Sequence, residues 1–183
     1  MADPGLLERY QDFRTRRFLH HEELYRHWLP GWRTQRRRRI LVVALVVILV
    51  CMVAVGAVCL TNMRIGPLLW LPVCAAFLVT WTSLQIVSGR QCDAPRDALD
   101  EWEVQQRDSA RSIGLTVTQT LTFVPAVFLI LAAALELDID RPNLVYSGGL
   151  FVLTTLVIGA CVPAMVLAWT RPDPDTDDHE EPA

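Results

Sequence analysis

The stretch GWRTQRRRRILVVALVVILV, from Gly31 to Val50, sets four consecutive arginines directly against an uninterrupted aliphatic run. No charged residue occurs from Ile40 to Leu60. At about 1.5 Å per residue, a helix over this run is roughly 31 Å long, which matches the thickness of about 30 Å of a bilayer's hydrocarbon core. The stretch therefore predicts a transmembrane helix that begins just after the arginines.

Three later blocks have the same character, since residues 67–87, 113–135 and 144–169 contain no Lys, Arg, Asp, Glu or His. Hydrophobic residues make up 52% of the chain, and their clustering into blocks is typical of membrane proteins. A cleaved signal peptide is disfavoured because the first apolar run follows a long polar segment. The pattern predicts an all-α protein, a bundle of four transmembrane helices over residues 40–60, 67–87, 113–135 and 144–169.

The arginines predict the orientation of this bundle. With four spans, both termini and the loop 88–112 lie on one side, which carries all of the 17 basic residues except Arg64 and Arg141. Because cytoplasmic flanks hold an excess of basic residues, both termini are predicted to be cytoplasmic in a plasma (inner) membrane protein. The residues with the strongest expected influence on orientation are Arg36, Arg37, Arg38 and Arg39. Nucleic-acid binding by this cluster is disfavoured, since its juxtamembrane position already accounts for the charge.

The segment 1–39 is predicted to be cytoplasmic, with an amphipathic helix from Pro4 to Leu29. Its apolar side would bury against the inner leaflet or, alternatively, against the chain's own cytoplasmic loop. The residues expected to dock on the membrane or on a partner here are Leu6, Tyr10, Phe13, Trp28 and Trp32.

The loop 88–112 is predicted to be largely helical and continuous with span three. Leu99 and Trp102 lie on an apolar stripe that runs from this loop into the span, and the stripe offers a docking surface for a partner or for the N-terminal helix. The tail 170–183 is acidic and proline-rich and is predicted to be disordered.

The loop also contains the segment ALDEWEVQQRDSAR, from Ala98 to Arg111. In this segment and in its hydropathy profile, the chain resembles the small uncharacterised four-helix integral membrane proteins of high-GC Gram-positive bacteria. The resemblance implies a four-helix membrane fold and implies no activity, cofactor or site residue.

Neutral polar residues cluster near the predicted inner ends of spans two and three. Opposite chain directions put the two sets at the same depth, so Gln85 and Gln119 are expected near each other between these spans. Interhelical hydrogen bonds are one explanation, and a polar pocket for a substrate is the other. This possible intramembrane layer comprises Thr80, Ser83, Gln85, Thr116, Gln119 and Thr122.

No pattern of residues points to catalysis. His20, Glu23 and His27 share a helical face at metal-ligand spacing, but Arg9 and Arg16 lie on the same face and disfavour a cation. The five cysteines form no C-x-x-C pair, which argues against a membrane thiol oxidoreductase. No phosphate-binding or hydrolase signature occurs. The sequence therefore predicts no catalytic residue, no metal site and no cofactor.

Three functional classes are compatible with these patterns. The first is an accessory or scaffold subunit of a membrane complex, which is favoured because docking surfaces are present and catalytic groups are missing. The second is a small oligomeric transporter or channel for a small solute, and the third is an enzyme acting on lipid. The expected partners are the lipid bilayer and either another membrane protein or further copies of the chain, with no nucleic acid.

Overall fold

The computed structural model describes residues 34–88 and 101–170, and within these ranges the chain forms four long helices and no β-strand. All four helices are long and apolar enough to cross a membrane, which confirms the predicted all-α, four-span class. They are α1 (Gln35–Thr61), α2 (Gly66–Val87), α3 (Glu101–Ala134) and α4 (Arg141–Thr170).

The described connections are short because local hydrogen bonds stop the helices. Between α1 and α2, the side-chain oxygen of Asn62 accepts bonds from the backbone N–H groups of Arg64 and Ile65, at 3.1 and 3.2 Å. Pro67 then occupies the first turn of α2, where its missing N–H costs nothing. At the end of α3, Glu136 adopts a positive φ of 47°, and the Leu137 N–H bonds to the Ala132 carbonyl. That arrangement is a Schellman-type helix end.

Helix α1 supplies the centre of the core. Its buried side chains recur every three or four residues, as expected for one helical stripe. The stripe packs against Leu84 and Val87 of α2 and against Cys161 and Ala168 of α4. The α1 residues in this cluster are Leu41, Val42, Leu45, Leu49 and Met52.

The helices pack in the order α2–α1–α4–α3. The extensive interfaces among the described residues are α1 with α2, α1 with α4, and α3 with α4, and helices α2 and α3 share no comparable one. Accordingly, 39% of the 18-residue apolar stretch of α1 is buried, and the same share is buried in α4, against 6% in α2 and 11% in α3. Helices α2 and α3 therefore present most of their surface to whatever surrounds the four helices.

Several predicted docking residues lie outside the described ranges. They are Leu6, Tyr10, Phe13, Trp28, Trp32 and Leu99, which remain predictions. Trp102 is described, and 62% of its surface is exposed near the start of α3. Helix α3 begins at Glu101 and runs without a break into the predicted third span.

Candidate interaction surfaces

Helices α3 and α4 meet along a line of small residues, the Gly/Thr seam. Its members follow each other at intervals of four residues on both helices, so they lie on one face of each. Because the helices run in opposite directions, the first member on α3 meets the last on α4. The seam comprises Gly114, Thr118 and Thr122 of α3 with Thr155, Gly159 and Pro163 of α4.

The two backbones in this seam are too close for larger side chains. A Cβ atom on Gly159 would overlap the side chain of Thr118, and its contact would extend to the Thr118 Cα at 2.9 Å. A Cβ atom on Gly114 would lie 2.6 Å from Cγ of Pro163. Small residues allow this close approach between membrane helices, and they supply packing where no hydrophobic driving force acts between helices.

The threonine hydroxyls of the seam are hydrogen-bonded. Thr118 donates to the Gly114 carbonyl at 2.7 Å, and Thr155 donates to the Val152 carbonyl at 2.8 Å. The oxygens of Thr122 and Thr155 are 3.3 Å apart. Since the Thr155 proton is already engaged, Thr122 donates across the interface. The seam therefore contains a direct hydrogen bond between α3 and α4.

The structure does not bring together the two halves of the predicted polar layer. Gln85 is buried on α2 and Gln119 is exposed on α3, and these helices are not packing partners. Thr122 instead pairs with α4 through the seam. The physical reason is that α2 packs on the aliphatic stripe of α1, whereas the small residues of α3 pack against those of α4.

The other members of that layer make no hydrogen bond to another helix among the described residues. Ser83 and Thr116 each donate to a backbone carbonyl one turn earlier, at 2.8 and 3.0 Å, and Thr80 is half-buried. Within the described ranges, the buried Oε1 atom of Gln85 has no hydrogen-bond partner. A role for these residues as a polar intramembrane site stays a prediction.

A second polar line, the α3 polar face, points away from the seam. Its members recur at three- and four-residue spacing and are all exposed: Ser112, Thr116, Gln119 and Thr120. Gln119 carries the only amide group on this face, and it has no hydrogen-bond partner among the described residues. An amide carries two donors and one acceptor, so it is a poor group to leave in hydrocarbon.

The N-terminal end of α1 forms a basic rim beside the C-terminal end of α4. Arg36, Arg37 and Arg39 are exposed there, whereas Arg38 is buried. The Arg39 guanidinium lies over the ring of Trp169 on α4, 5.1 Å from the ring centroid. Of these arginines, Arg36 and Arg39 line an open depression of about 450 Å³ together with Gln35, Ile40 and Val43.

Sequence reasoning missed two kinds of residue. The Gly/Thr seam could have been found from small residues repeated every four positions in spans three and four. The burial of Arg38 and Arg107 could not have been predicted, because each lies among charged residues whose pattern is typical of a solvated surface. Arg107 bonds the adjacent Asp108 carboxylate at 3.0 Å.

No group of three or more potential metal-ligating side chains occurs in residues 34–88 and 101–170. The set of His20, Glu23 and His27 lies outside those ranges. The described cysteines are free thiols, with Cys59 and Cys161 buried among apolar neighbours.

No protein-family model, curated protein or solved structure matches this chain. The chemistry of its surfaces is therefore the basis for assigning a function.

Proposed function

We propose that this chain is an accessory or scaffold subunit of a plasma-membrane complex, without a catalytic site of its own. The proposal places both termini and the segment 88–112 in the cytoplasm. Its partner is another membrane protein that packs on α3. Four apolar helices make the chain compatible with a multi-pass membrane protein.

The proposal rests mainly on the exposed position of Gln119 on α3. This residue lies 15 residues before Ala134, the last residue of α3, or about 22 Å along the helix, and so within the hydrocarbon region of a spanning helix. Its exposed amide would face lipid in an isolated chain. Amide side chains in membrane helices commonly hydrogen-bond across helix interfaces. A partner helix on the α3 polar face would satisfy this amide.

The test replaces Gln119 with leucine and compares the complexes in mildly solubilised membranes by native mass spectrometry. Polar contacts between membrane helices average about 0.6 kcal/mol, so Gln119→Leu should weaken the complex about threefold. Gln105→Leu is the matched control, because Gln105 is exposed on the same helix but precedes the predicted span.

The expected result is a defined complex with a different membrane protein that survives Gln105→Leu and is reduced by Gln119→Leu. Equal retention in both variants would show that the α3 polar face is not the contact. A homo-oligomer alone would instead favour a small oligomeric transporter or channel. The buried Oε1 atom of Gln85, which has no hydrogen-bond partner within residues 34–88 and 101–170, is the observation that favours this second candidate.

The proposed orientation has a separate test. An impermeant maleimide added to intact cells should label Arg64→Cys and should not label Arg96→Cys, with the unsubstituted chain as the background control. The reverse pattern would place the termini outside the cytoplasm.

A further inference from the structure

The depression beside the N-terminal end of α1 combines positive charge with apolar surface. Arg36 and Arg39 lie one turn apart on the same face, and Ile40 and Val43 follow them toward the membrane centre. Ile40 and Val43 are 55% and 52% exposed. The exposed line continues along α1 through Val47 and Val50, and we refer to these four residues as the apolar track.

From this arrangement we propose that the depression binds an anionic phospholipid, with its phosphate held by Arg36 and Arg39. The guanidinium group presents donors in a planar fork that fits phosphate oxygens. An acyl chain of the same lipid would then lie along the apolar track. A basic pocket at the ends of membrane helices is a recurring site for anionic headgroups.

Trp169 orients one of the two arginines of the site. Its ring holds the Arg39 guanidinium 5.1 Å from the centroid, so this side chain is positioned before a ligand arrives. Trp169 belongs to α4, so this contact joins the Arg39 side chain of α1 to the neighbouring helix. Tryptophan is enriched at the depth of lipid headgroups, which is where a phosphate would be located.

A lipid fits the surface better than a free phosphate compound does. A soluble anion would use the arginines and leave the apolar track without a partner. A phospholipid carries both the phosphate and the hydrocarbon chain, in the order in which the protein presents the two surfaces along α1. The proposal is independent of any subunit that binds α3.

The test measures lipids bound to the purified full-length chain after exchange into equimolar phosphatidylglycerol and phosphatidylcholine with identical acyl chains. Native mass spectrometry reports how many of each lipid remain bound. We expect phosphatidylglycerol to be retained in preference to phosphatidylcholine. Arg36→Gln and Arg39→Gln should each reduce that retention about fivefold, and the double variant about thirtyfold.

Arg37→Gln is the matched control, because Arg37 is exposed in the same run but does not line the depression. It removes the same charge and should change retention little. An equal loss in Arg37→Gln would indicate diffuse electrostatic attraction and would overturn the site. Equal retention of the two lipids by the unsubstituted chain would overturn it as well.

Two further measurements separate a lipid site from loss of folding and from binding of a soluble anion. If a glutamine variant loses helical circular dichroism, Arg36→Lys replaces it, and we expect an intermediate loss because lysine keeps the charge without the fork. Soluble glycerol phosphate should fail to displace the bound lipid. Displacement by that compound at the concentration that displaces short-chain phosphatidylglycerol would assign the site to a free organophosphate and would refute lipid binding.

Discussion

The Gly/Thr seam between α3 and α4 and the aromatic part of the α1–α2 interface join apolar helices by different means. In the first, glycines and threonines bring two backbones together, and a single added Cβ atom has no space. In the second, aliphatic side chains of α1 meet the partly buried aromatic side chains Trp70, Phe77 and Trp81 of α2. The rings of Phe77 and Trp81 are nearly parallel, and their centroids are 6.3 Å apart.

This difference shows what stabilises helices in a bilayer. Lipid tails are as apolar as leucine, so association depends on packing and on interhelical hydrogen bonds. The seam obtains its packing from rigid backbone surfaces, which cannot move aside. The aromatic interface obtains it from side chains with rotamer freedom, which can adjust. Substitutions should therefore have larger effects in the seam.

The largest effect is expected for Gly159→Ala. The new methyl group would overlap Thr118 and force α3 and α4 apart, which should lower the free energy of unfolding by about 2–3 kcal/mol. Thermal or detergent-induced unfolding in mixed micelles measures the change. Gly149→Ala on the same helix is the control, since nothing lies within 4 Å of its Cβ position. A loss in the control equal to that of Gly159→Ala would contradict the close-approach explanation.

A smaller effect is expected for Phe77→Ala. It removes the stacking on Trp81 and part of the contact with α1, which should cost about 1 kcal/mol in the same unfolding assay. The matched change is Phe123→Ala, because Phe123 is 69% exposed and makes no comparable contact within the described helices. If Phe77→Ala destabilised the protein more than Gly159→Ala, the contrast between the two interfaces would be wrong.

The smallest effect is expected for Thr122→Val, which keeps the shape of the side chain and removes the hydrogen bond to Thr155. Polar contacts between membrane helices average about 0.6 kcal/mol, so the loss should be of that order. Thr120→Val serves as the comparison, since Thr120 is exposed on the α3 polar face. Identical unfolding curves for the two variants would show that the Thr122–Thr155 bond contributes nothing measurable.

The spans were predictable because length and charge exclusion are local properties. The predicted start of span two at residue 67 lies one residue from the observed start at Gly66, and Pro67 explains the agreement. Gln85 and Gln119 show where such reasoning stops. Their depth follows from position along the chain, but whether they meet depends on which helices become neighbours.

The buried arginines show the same limit at the helix ends. Arg36 to Arg39 are alike in sequence, yet Arg38 is 3% exposed whereas its three neighbours in the run are exposed. A helix turns by about 100° per residue, so consecutive side chains point in different directions. Which of these directions faces the rest of the protein is decided only by the tertiary structure.

By itself, the sequence determined that this protein has four helices of membrane-spanning length, because each apolar block is long enough to cross the hydrocarbon core of a bilayer and excludes charge. The tertiary structure alone decided that α1 and α4 are the buried pair and that α2 and α3 are the exposed ones. The physical reason is that apolar residues also cover the exposed faces of the spans. Hydrophobicity therefore does not decide which faces pack together, and close fit between small residues and between side chains selects the neighbours.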